Sequence, residues 1–462
     1  MGRVLRGGTV VTTESADRMD IRICGEQIAT IGIDVSCTGD EIIDVSGCFL
    51  FPGGIDPHTH FDLDVGSTVT ADDFSSGSRA ALHGGTTTVI DYATQPRNGS
   101  LTDALSMWHR KADNVSFTDY GFHMALCDCN DAALRELRSL PYAGVTSVKL
   151  YLAYKNVMQV DDASLMKVMR ICREQGIVVC LHCENGDIIA ELISEAKQNG
   201  RLEPAQHAAC RPEAVEAEAV YRAICLAELT GCALYVVHVS SGRALSLINA
   251  ARQSGQRIWA ETCTQYLLLD ESRYALPGFE PAKFVMSPPL RNEKNLPILW
   301  KGLAQGELSC VGSDHCSFNF MRQKELGRND FSRIPNGIPG VENRFGLLYT
   351  YGVAAGRIDL QTFVAVTSTT AAKIFGLFPR KGILAPGSDA DIVVWDPEGR
   401  QPIRAKTQMQ KVDYNPYEGF EQIGRLRHVF LRGQHALQDG KVLCGPLGKY
   451  ASRQTRVSGE DV

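Results

Sequence analysis

The central part of the chain alternates short apolar runs with longer amphipathic stretches. Each apolar run has the length of a strand, and helical periodicity separates most of them. The predicted strands are residues 49–55, 86–92, 120–126, 145–151, 177–181, 234–239, 258–262 and 309–312. Eight strands that alternate with helices predict a (β/α)8 or TIM barrel in the α/β class.

One example of the helical periodicity lies between Pro212 and Leu229. Proline suits the first turn of a helix, and Gly231 is placed to end it. Apolar residues recur every fourth position, at Val215, Ala219, Ala223 and Ala227. A doubly wound sheet is the alternative to a barrel, but no GxGxxG motif follows the first predicted strand.

Both ends of the chain have a different pattern of short β-branched runs broken by Gly, Asp and Ser. These runs cover residues 4–11, 21–33, 41–51, 391–395 and 428–431. We therefore predict a β-sandwich domain of residues 1–51 and 385–440 and a barrel of residues 52–384. Residues 441–462 are predicted to form a tail, either disordered or laid against a neighbouring subunit.

Composition narrows the function classes. The chain has 462 residues, of which 44% are hydrophobic and 22% charged, and a formal net charge of -6. A mildly acidic chain has no electrostatic footprint for nucleic acid or an anionic membrane. We see no signal peptide and no apolar stretch long enough for a membrane span. Together with 15 scattered cysteines, this predicts a cytoplasmic protein with reduced thiols.

Four histidines lie at the ends of predicted strands. His58 and His60 form an HxH motif directly after the first strand, so their side chains point to the same side. His182 and His238 end the fifth and sixth strands. A solvated loop or a hydrogen-bonded core position would explain any one of them. All four at strand carboxyl ends, however, would share the face where barrel active sites lie.

Asp314 and Lys149 add to this group, at the ends of the last and fourth predicted strands. Alone, Asp314 could cap the next helix and Lys149 could extend its amine to solvent. Imidazole and oxygen ligands suit zinc or another first-row divalent ion, and six candidate ligands favour two ions. Two dications need a further anion, which Lys149 could supply as a carbamate formed with carbon dioxide.

Several motifs together resemble those of the D-hydantoinases and dihydropyrimidinases, within the amidohydrolase superfamily. The resemblance covers nearly the whole chain. It is carried by residues 51–60 (FPGGIDPHTH), 149–156 (KLYLAYKN), 182–185 (HCEN), 287–291 (SPPLR), 312–316 (GSDHC) and 335–344 (PNGIPGVENR). Residues 64–66 (DVG) and 330–333 (DFSR) look closest to the phenylhydantoinase branch.

The resemblance implies a role for each candidate ligand. His58, His60 and Asp314 would hold one metal ion, and His182 and His238 the other. Lys149, as N6-carboxylysine, would bridge the two ions, which are most often zinc in this family. Asp314 would also move the proton from the attacking water to the leaving nitrogen.

The resemblance also implies substrate contacts. Tyr154 would stabilise the oxyanion, and Ser287 and Asn336 would hold the ring imide through backbone groups. The positions that gate substrate entry would be Leu63, Asp64, Val65, Tyr151, Leu152 and Met158. Asp64 departs from the mostly apolar gate of many relatives.

These implications predict a metal-dependent hydrolase, tetrameric in the manner of the family, that opens a small cyclic ureide. Its substrates would be 5-substituted hydantoins, D-selectively and including aryl ones, or dihydropyrimidines, and its products N-carbamoyl amino acids. The alternatives are an allantoinase or other cyclic-ureide amidase, or a non-catalytic assembly protein of the dihydropyrimidinase type. Dihydroorotases usually carry an arginine shortly after the HxH motif, where this chain has Phe61 and Asp62.

Overall fold

The computed structural model describes residues 2–455, and its centre is a closed parallel barrel. Within these residues, the eight barrel strands are Gly54–Thr59, Thr86–Thr94, Asp119–Ala125, Ser147–Tyr151, Val178–His182, Leu234–Val236, Ile258–Cys263 and Cys310–Gly312. They pair in sequence order. A bridge between Thr59 and His315 joins the first strand to the chain after the last strand. The predicted (β/α)8 fold is confirmed.

Helices surround the barrel and connect most of its strands. The α-helices of the described residues are Phe74–His83, Leu101–Ala112, Asp131–Leu137, Asp162–Gln175, Gly186–Gln198, Gln206–Ala209, Glu213–Thr230, Gly242–Gln253, Thr264–Leu268, Asn295–Ala304, Arg344–Leu348, Leu360–Val364 and Thr370–Phe375. The helix predicted from Pro212 has that proline as its N-cap and Gly231 in the left-handed conformation at its end. No helix in residues 2–455 is long and apolar enough to cross a membrane.

Two further sheets come from the chain ends, as predicted. One contains Gln27–Gly32, Asp20–Cys24, Arg3–Arg6 and Glu41–Asp44; the other contains Lys441–Val442, Gln434–Gln438, Glu421–Leu431, Ile392–Pro402, Phe49–Pro52, Thr9–Val11 and Ala16–Arg18. Apolar side chains from both sheets form one buried cluster, among them Leu5, Ile23, Leu50, Ile392 and Phe430. The two sheets therefore share a core separate from that of the barrel.

The segment predicted as one strand over residues 49–55 is two strands. Phe49–Pro52 pairs with the C-terminal part of the chain, and Gly54–Thr59 begins the barrel. The break falls at Gly53, where a Cβ atom would lie only 2.1 Å from the Thr87 side chain. Glycine allows the backbone to approach this closely and change sheets.

The C-terminal tail, as far as the structure describes it, lies on the chain's own barrel. Backbone N–H groups of Ala451 and Arg453 donate to Tyr120 and Gly144, over 2.7 and 3.1 Å. The Arg453 side chain is buried and donates to Ser147 Oγ over 2.9 Å. The predicted disorder is therefore wrong for residues 448–455, whereas the alternative of a contact with a neighbouring subunit stays a prediction. Residues 456–462 lie outside the described residues.

A buried lysine joins the barrel to the terminal sheets. Lys381 Nζ lies 2.7 Å from Asp119 at the start of a barrel strand and 3.0 and 2.6 Å from Asp389 and Asp391, which precede a sheet strand. These three aspartates are close enough to hold a cation. The ammonium of Lys381 already fills that role.

Replacing Lys381 with Met should lower the free energy of unfolding by about 3–5 kcal/mol, because the buried Asp391 loses its lysine counter-ion. Asp119 retains Arg432, and the half-buried Asp389 is partly solvated. Urea denaturation would measure the loss. The control is Lys411→Met, which removes a half-exposed ion pair with Asp73 and should cost about 0–1 kcal/mol. Equal losses in the two variants would show that the buried cluster does not hold the sheets and barrel together.

Candidate active site

The six predicted ligands meet at the carboxyl ends of the barrel strands. His58 lies in the first strand, Lys149 in the fourth, and His182 ends the fifth. His60 follows the first strand, and His238 and Asp314 each come two residues after a strand. All six line one cavity of about 1160 Å³. The barrel therefore brings together residues that are far apart in the sequence.

Asp314 lies between the two histidines of the HxH motif. Its Oδ1 atom is 3.2 Å from the Nε2 atoms of both His58 and His60. One ligand atom from each of these three residues lies within 4.8 Å of the others. This spacing is small enough for one cation to contact all three side chains.

His182, His238 and Lys149 extend the cluster across the barrel. The ring of His238 lies 4.6 Å from that of His182 and 5.5 Å from that of His58, between centroids. The buried Lys149 amine lies 5.1 Å from the ring centre of Tyr92 and 5.2 Å from that of Tyr151. The histidines thus form a continuous row beside a lysine enclosed by aromatic rings.

Glu261 orients one end of this row. Its Oε1 atom is 2.6 Å from His58 Nδ1 and accepts a 3.3 Å bond from the His238 backbone N–H. Its Oε2 accepts a 3.0 Å bond from the Tyr235 hydroxyl. Because Glu261 occupies Nδ1 of His58, the Nε2 atom is left facing Asp314. Metal-binding histidines are typically held in this way by a carboxylate.

Glu184 orients the other end. It lies 2.9 Å from His182 Nε2, which leaves Nδ1 of that ring for a ligand, and 2.7 Å from Arg211 Nη1. Burial opposes the charge on Glu184, but Arg211 and His182 outweigh it and lower the pKa of this carboxyl to about 2. The carboxylate is therefore ionised and able to accept hydrogen bonds from both partners.

Burial also sets the protonation of the ligands. It lowers the pKa values of His58, His182 and His238, so their rings are neutral at neutral pH. It lowers the pKa of Lys149 to about 8, which makes the neutral amine accessible. Neutral imidazoles beside the Asp314 carboxylate are the donor set of a divalent metal site. The residues present therefore fit a metal centre.

Two of these residues have an uncommon backbone. His238 and Asp314 have φ angles of 41° and 49°, in the left-handed region that non-glycine residues rarely adopt. Tyr154, which also lines the cavity, has a φ of 63°. Such conformations concentrate at functional sites, where the surrounding structure holds them. They turn the chain after a barrel strand so that the side chain enters the cavity.

The predicted substrate residues border the same cavity, with one exception. Lining it are Tyr154, Ser287, Asn336, Leu63, Asp64, Val65, Tyr151 and Met158. Leu152 does not line it, and its prediction as a gate residue is not supported. Neighbouring residues of an extended chain point to opposite sides, so Leu152 is buried in the apolar core while Tyr151 faces the cavity.

Sequence reasoning missed the two carboxylates that orient the histidines. Glu261 lies within a predicted strand and Glu184 within a quoted motif, but neither was given a role. A charged residue inside an apolar strand was the available signal for Glu261, since such residues are seldom buried without a partner. The sequence does not show which side chain each carboxylate contacts, because these partners come together only when the barrel closes.

Fold and site together define a metal-dependent enzyme of the barrel class, and comparison with known proteins identifies the family. The profile of the amidohydrolase family matches residues 49–436. The chain is 45% identical to a D-hydantoinase of Geobacillus stearothermophilus, over 98% of this chain and 97% of that one. It is 41% identical to a D-phenylhydantoinase of Escherichia coli O1:K1 / APEC, over 95% of both chains.

Comparison with solved structures identifies the same group of enzymes. A dihydropyrimidinase from Brevibacillus agri NCHU1002 superimposes with a TM-score of 0.98 at 45% identity, covering 99% of this chain and 100% of that one. An L-hydantoinase (dihydropyrimidinase) from Arthrobacter aurescens gives 0.89 at 28% identity, covering 98% and 100%. The chain belongs to the amidohydrolase family, in the group of the hydantoinases and dihydropyrimidinases.

Replacing Glu261 with Gln should weaken metal binding by about 10–100-fold, because His58 loses the carboxylate that orients its ring. Metal retained against a graded series of chelator concentrations would measure the effect, with circular dichroism as the check on folding. The matched control is Glu293→Gln at an exposed position. Unchanged metal retention in the Glu261 variant would contradict the orienting role.

Proposed function

We propose that this cyclic-amide hydrolase opens 5-substituted hydantoins, including aryl ones, with preference for the D enantiomer. Dihydropyrimidines would be further substrates, and the products would be N-carbamoyl amino acids. The observation that supports the proposal most is the cavity in which the histidine row, Lys149 and Asp314 face Tyr154, Ser287 and Asn336. It places candidate ligands for a metal beside candidate contacts for a ring.

Two divalent ions, which we propose to be zinc, would be held by these residues. His58, His60 and Asp314 would bind one and His182 and His238 the other, with a carbamate on Lys149 between them. When bound, such ions lower the pKa of a water molecule and polarise a carbonyl oxygen. A carbamate suits Lys149 because burial lowers the pKa of its amine to about 8, which makes the neutral form that takes up carbon dioxide accessible.

Asp314 would carry the proton during ring opening. Burial opposes its charge, but His58 and His60 outweigh burial and lower the pKa of this carboxyl. The carboxylate can therefore take a proton from the attacking water and deliver it to the ring nitrogen as the C–N bond breaks. Its 3.2 Å distances to both histidines keep it at the centre of the site.

Tyr154 would stabilise the oxyanion that forms at the ring carbonyl. Burial raises the pKa of its phenol to about 12, so the hydroxyl stays protonated and can donate a hydrogen bond. Backbone groups of Ser287 and Asn336 would hold the imide side of the ring. The substituent on the ring would lie against Leu63, Val65, Tyr151 and Met158, with Asp64 as the polar member of this wall.

We further propose a homotetramer that works in the cytoplasm. The family resemblance supports the first part. For the second, all 15 cysteines lie within the described residues and are free thiols. Free thiols are typical of a reducing compartment.

A substrate panel tests the proposed function. Burying one phenyl ring against the apolar wall stabilises binding by roughly 1.5–3 kcal/mol, so D-5-phenylhydantoin should have a KM about tenfold or more below that of unsubstituted hydantoin. Both compounds present the same reacting ring, and the L enantiomer and dihydrouracil complete the comparison. Turnover of allantoin alone would favour the allantoinase alternative, and no turnover by metal-loaded enzyme would favour the assembly protein.

Lys149→Ala should lose metal and activity together while the barrel stays folded. Lys149→Arg should not restore them, because guanidinium stays cationic, whereas acetate at high concentration should restore part of the rate. The matched control is Lys155→Ala, which removes an exposed lysine paired with Asp187. Isotope-labelled bicarbonate should give a carbamate signal in NMR spectra of the wild type only. An active, fully metallated wild type with unmodified Lys149 would contradict the carbamate.

A further inference from the structure

Lys324 is a buried lysine outside the metal cluster. Its side chain is fully enclosed, with 0% exposed. Its Nζ atom donates to three backbone carbonyls, those of Val285 at 2.8 Å and of Pro335 and Gly337 at 2.7 Å each. An ammonium group has three N–H donors, so these carbonyls satisfy it completely. None of the ion pairs found among residues 2–455 includes Lys324.

The three carbonyls belong to the two segments that border the substrate cavity. Val285 lies two residues before Ser287, and Pro335 and Gly337 lie on either side of Asn336. The segments also bond directly, since the Gly337 N–H donates to Val285 O over 3.0 Å. Lys324 therefore joins the two segments within two residues of both predicted imide contacts.

Gln323, the residue before Lys324, forms hydrogen bonds to a third loop at the cavity. Gln323 Nε2 donates to Thr68 Oγ1 at 2.9 Å and to Val69 O at 2.7 Å. These residues continue the loop that carries Leu63 and Val65, which line the cavity. One dipeptide thus connects three loops around the cavity, with Lys324 directed at the two that contain Ser287 and Asn336.

This arrangement is costly. Burial lowers the pKa of Lys324, because the ammonium is removed from water and its hydrogen-bond partners are neutral carbonyls rather than carboxylates. A methionine would fill nearly the same volume without that penalty. Methionine has no N–H donors, so it could not hold the three carbonyl oxygens around one point. The contribution of the lysine is therefore the geometry of the two segments.

We propose that Lys324 is a positioning residue for substrate binding, which fixes the backbone groups of Ser287 and Asn336 at the imide side of the ring. The inference rests on the proposed function. Lys324 has no place in the chemistry itself, because it lines neither the cavity nor the metal cluster. Its removal should weaken recognition of the imide and leave the metal centre intact.

The test compares Lys324→Met with a matched control, Lys283→Met. Lys283 lies in a nearby segment and pairs with Glu280 at the surface. In the metal-loaded enzyme, K324M should raise the KM for hydantoin about tenfold or more with a smaller change in kcat, as for lost ground-state binding. Inhibition by 5,5-dimethylhydantoin, which carries the imide, should weaken by a similar factor. Inhibition by acetohydroxamate, a metal chelator without the ring, should not change.

Each other outcome decides against the proposal. Unchanged KM and imide inhibition in K324M would overturn it, as would equal weakening of both inhibitors or loss of metal, which would indicate a structural role only. If K324M fails to fold, Lys324→Gln replaces it: the amide keeps two N–H donors and should give a smaller KM increase. Wild-type enzyme is assayed first, so absent turnover of hydantoins and dihydropyrimidines would reject the proposed function separately, before any variant is measured.

Discussion

The closure of the barrel is the constraint on which the site depends. The His60 N–H donates to His315 O over 2.9 Å, beside the bridge between Thr59 and His315. This pairing brings the start of the barrel sequence against its end. It places the HxH motif beside Asp314, although more than half of the chain separates them. Without closure the carboxyl ends would still share an edge, but the first and last strands would lie at opposite sides of the sheet.

Desolvation is the second determinant of the site. Burial keeps the rings of His58, His182 and His238 neutral and lowers the pKa of the Lys149 amine to about 8. The same burial would make charged carboxylates costly without partners. Glu184 meets that cost with Arg211. Glu261 accepts three hydrogen bonds, but burial outweighs them and raises the pKa of this carboxyl to about 8. The ligand row is therefore held between two acidic side chains that orient it.

The residues of the cavity wall are held in position in a different way from the candidate metal ligands. The candidate ligands come from barrel strands or from the two residues after them, whereas the wall comes mostly from loops far apart in sequence, with Tyr151 from a strand end. Loops are not aligned by a sheet, so hydrogen bonds from side chains to backbone groups hold them in position. Gln323 and Lys324 provide four such bonds, and a fifth joins the side chains of Gln323 and Thr68. The candidate substrate contacts and the candidate metal ligands are thus held in place by different parts of the molecule.

The sequence by itself determined the barrel, the sheets from both ends and the six candidate ligands. Strand periodicity and the HxH motif are local patterns, so they are visible without the fold. Only the tertiary structure decided what depends on neighbours across the barrel. It divided the first strand at Gly53, laid residues 448–455 on the barrel and buried Leu152 in the core. It also gave Glu261 and Lys324 their partners, because no pattern along one chain records which distant atoms a buried charge will meet.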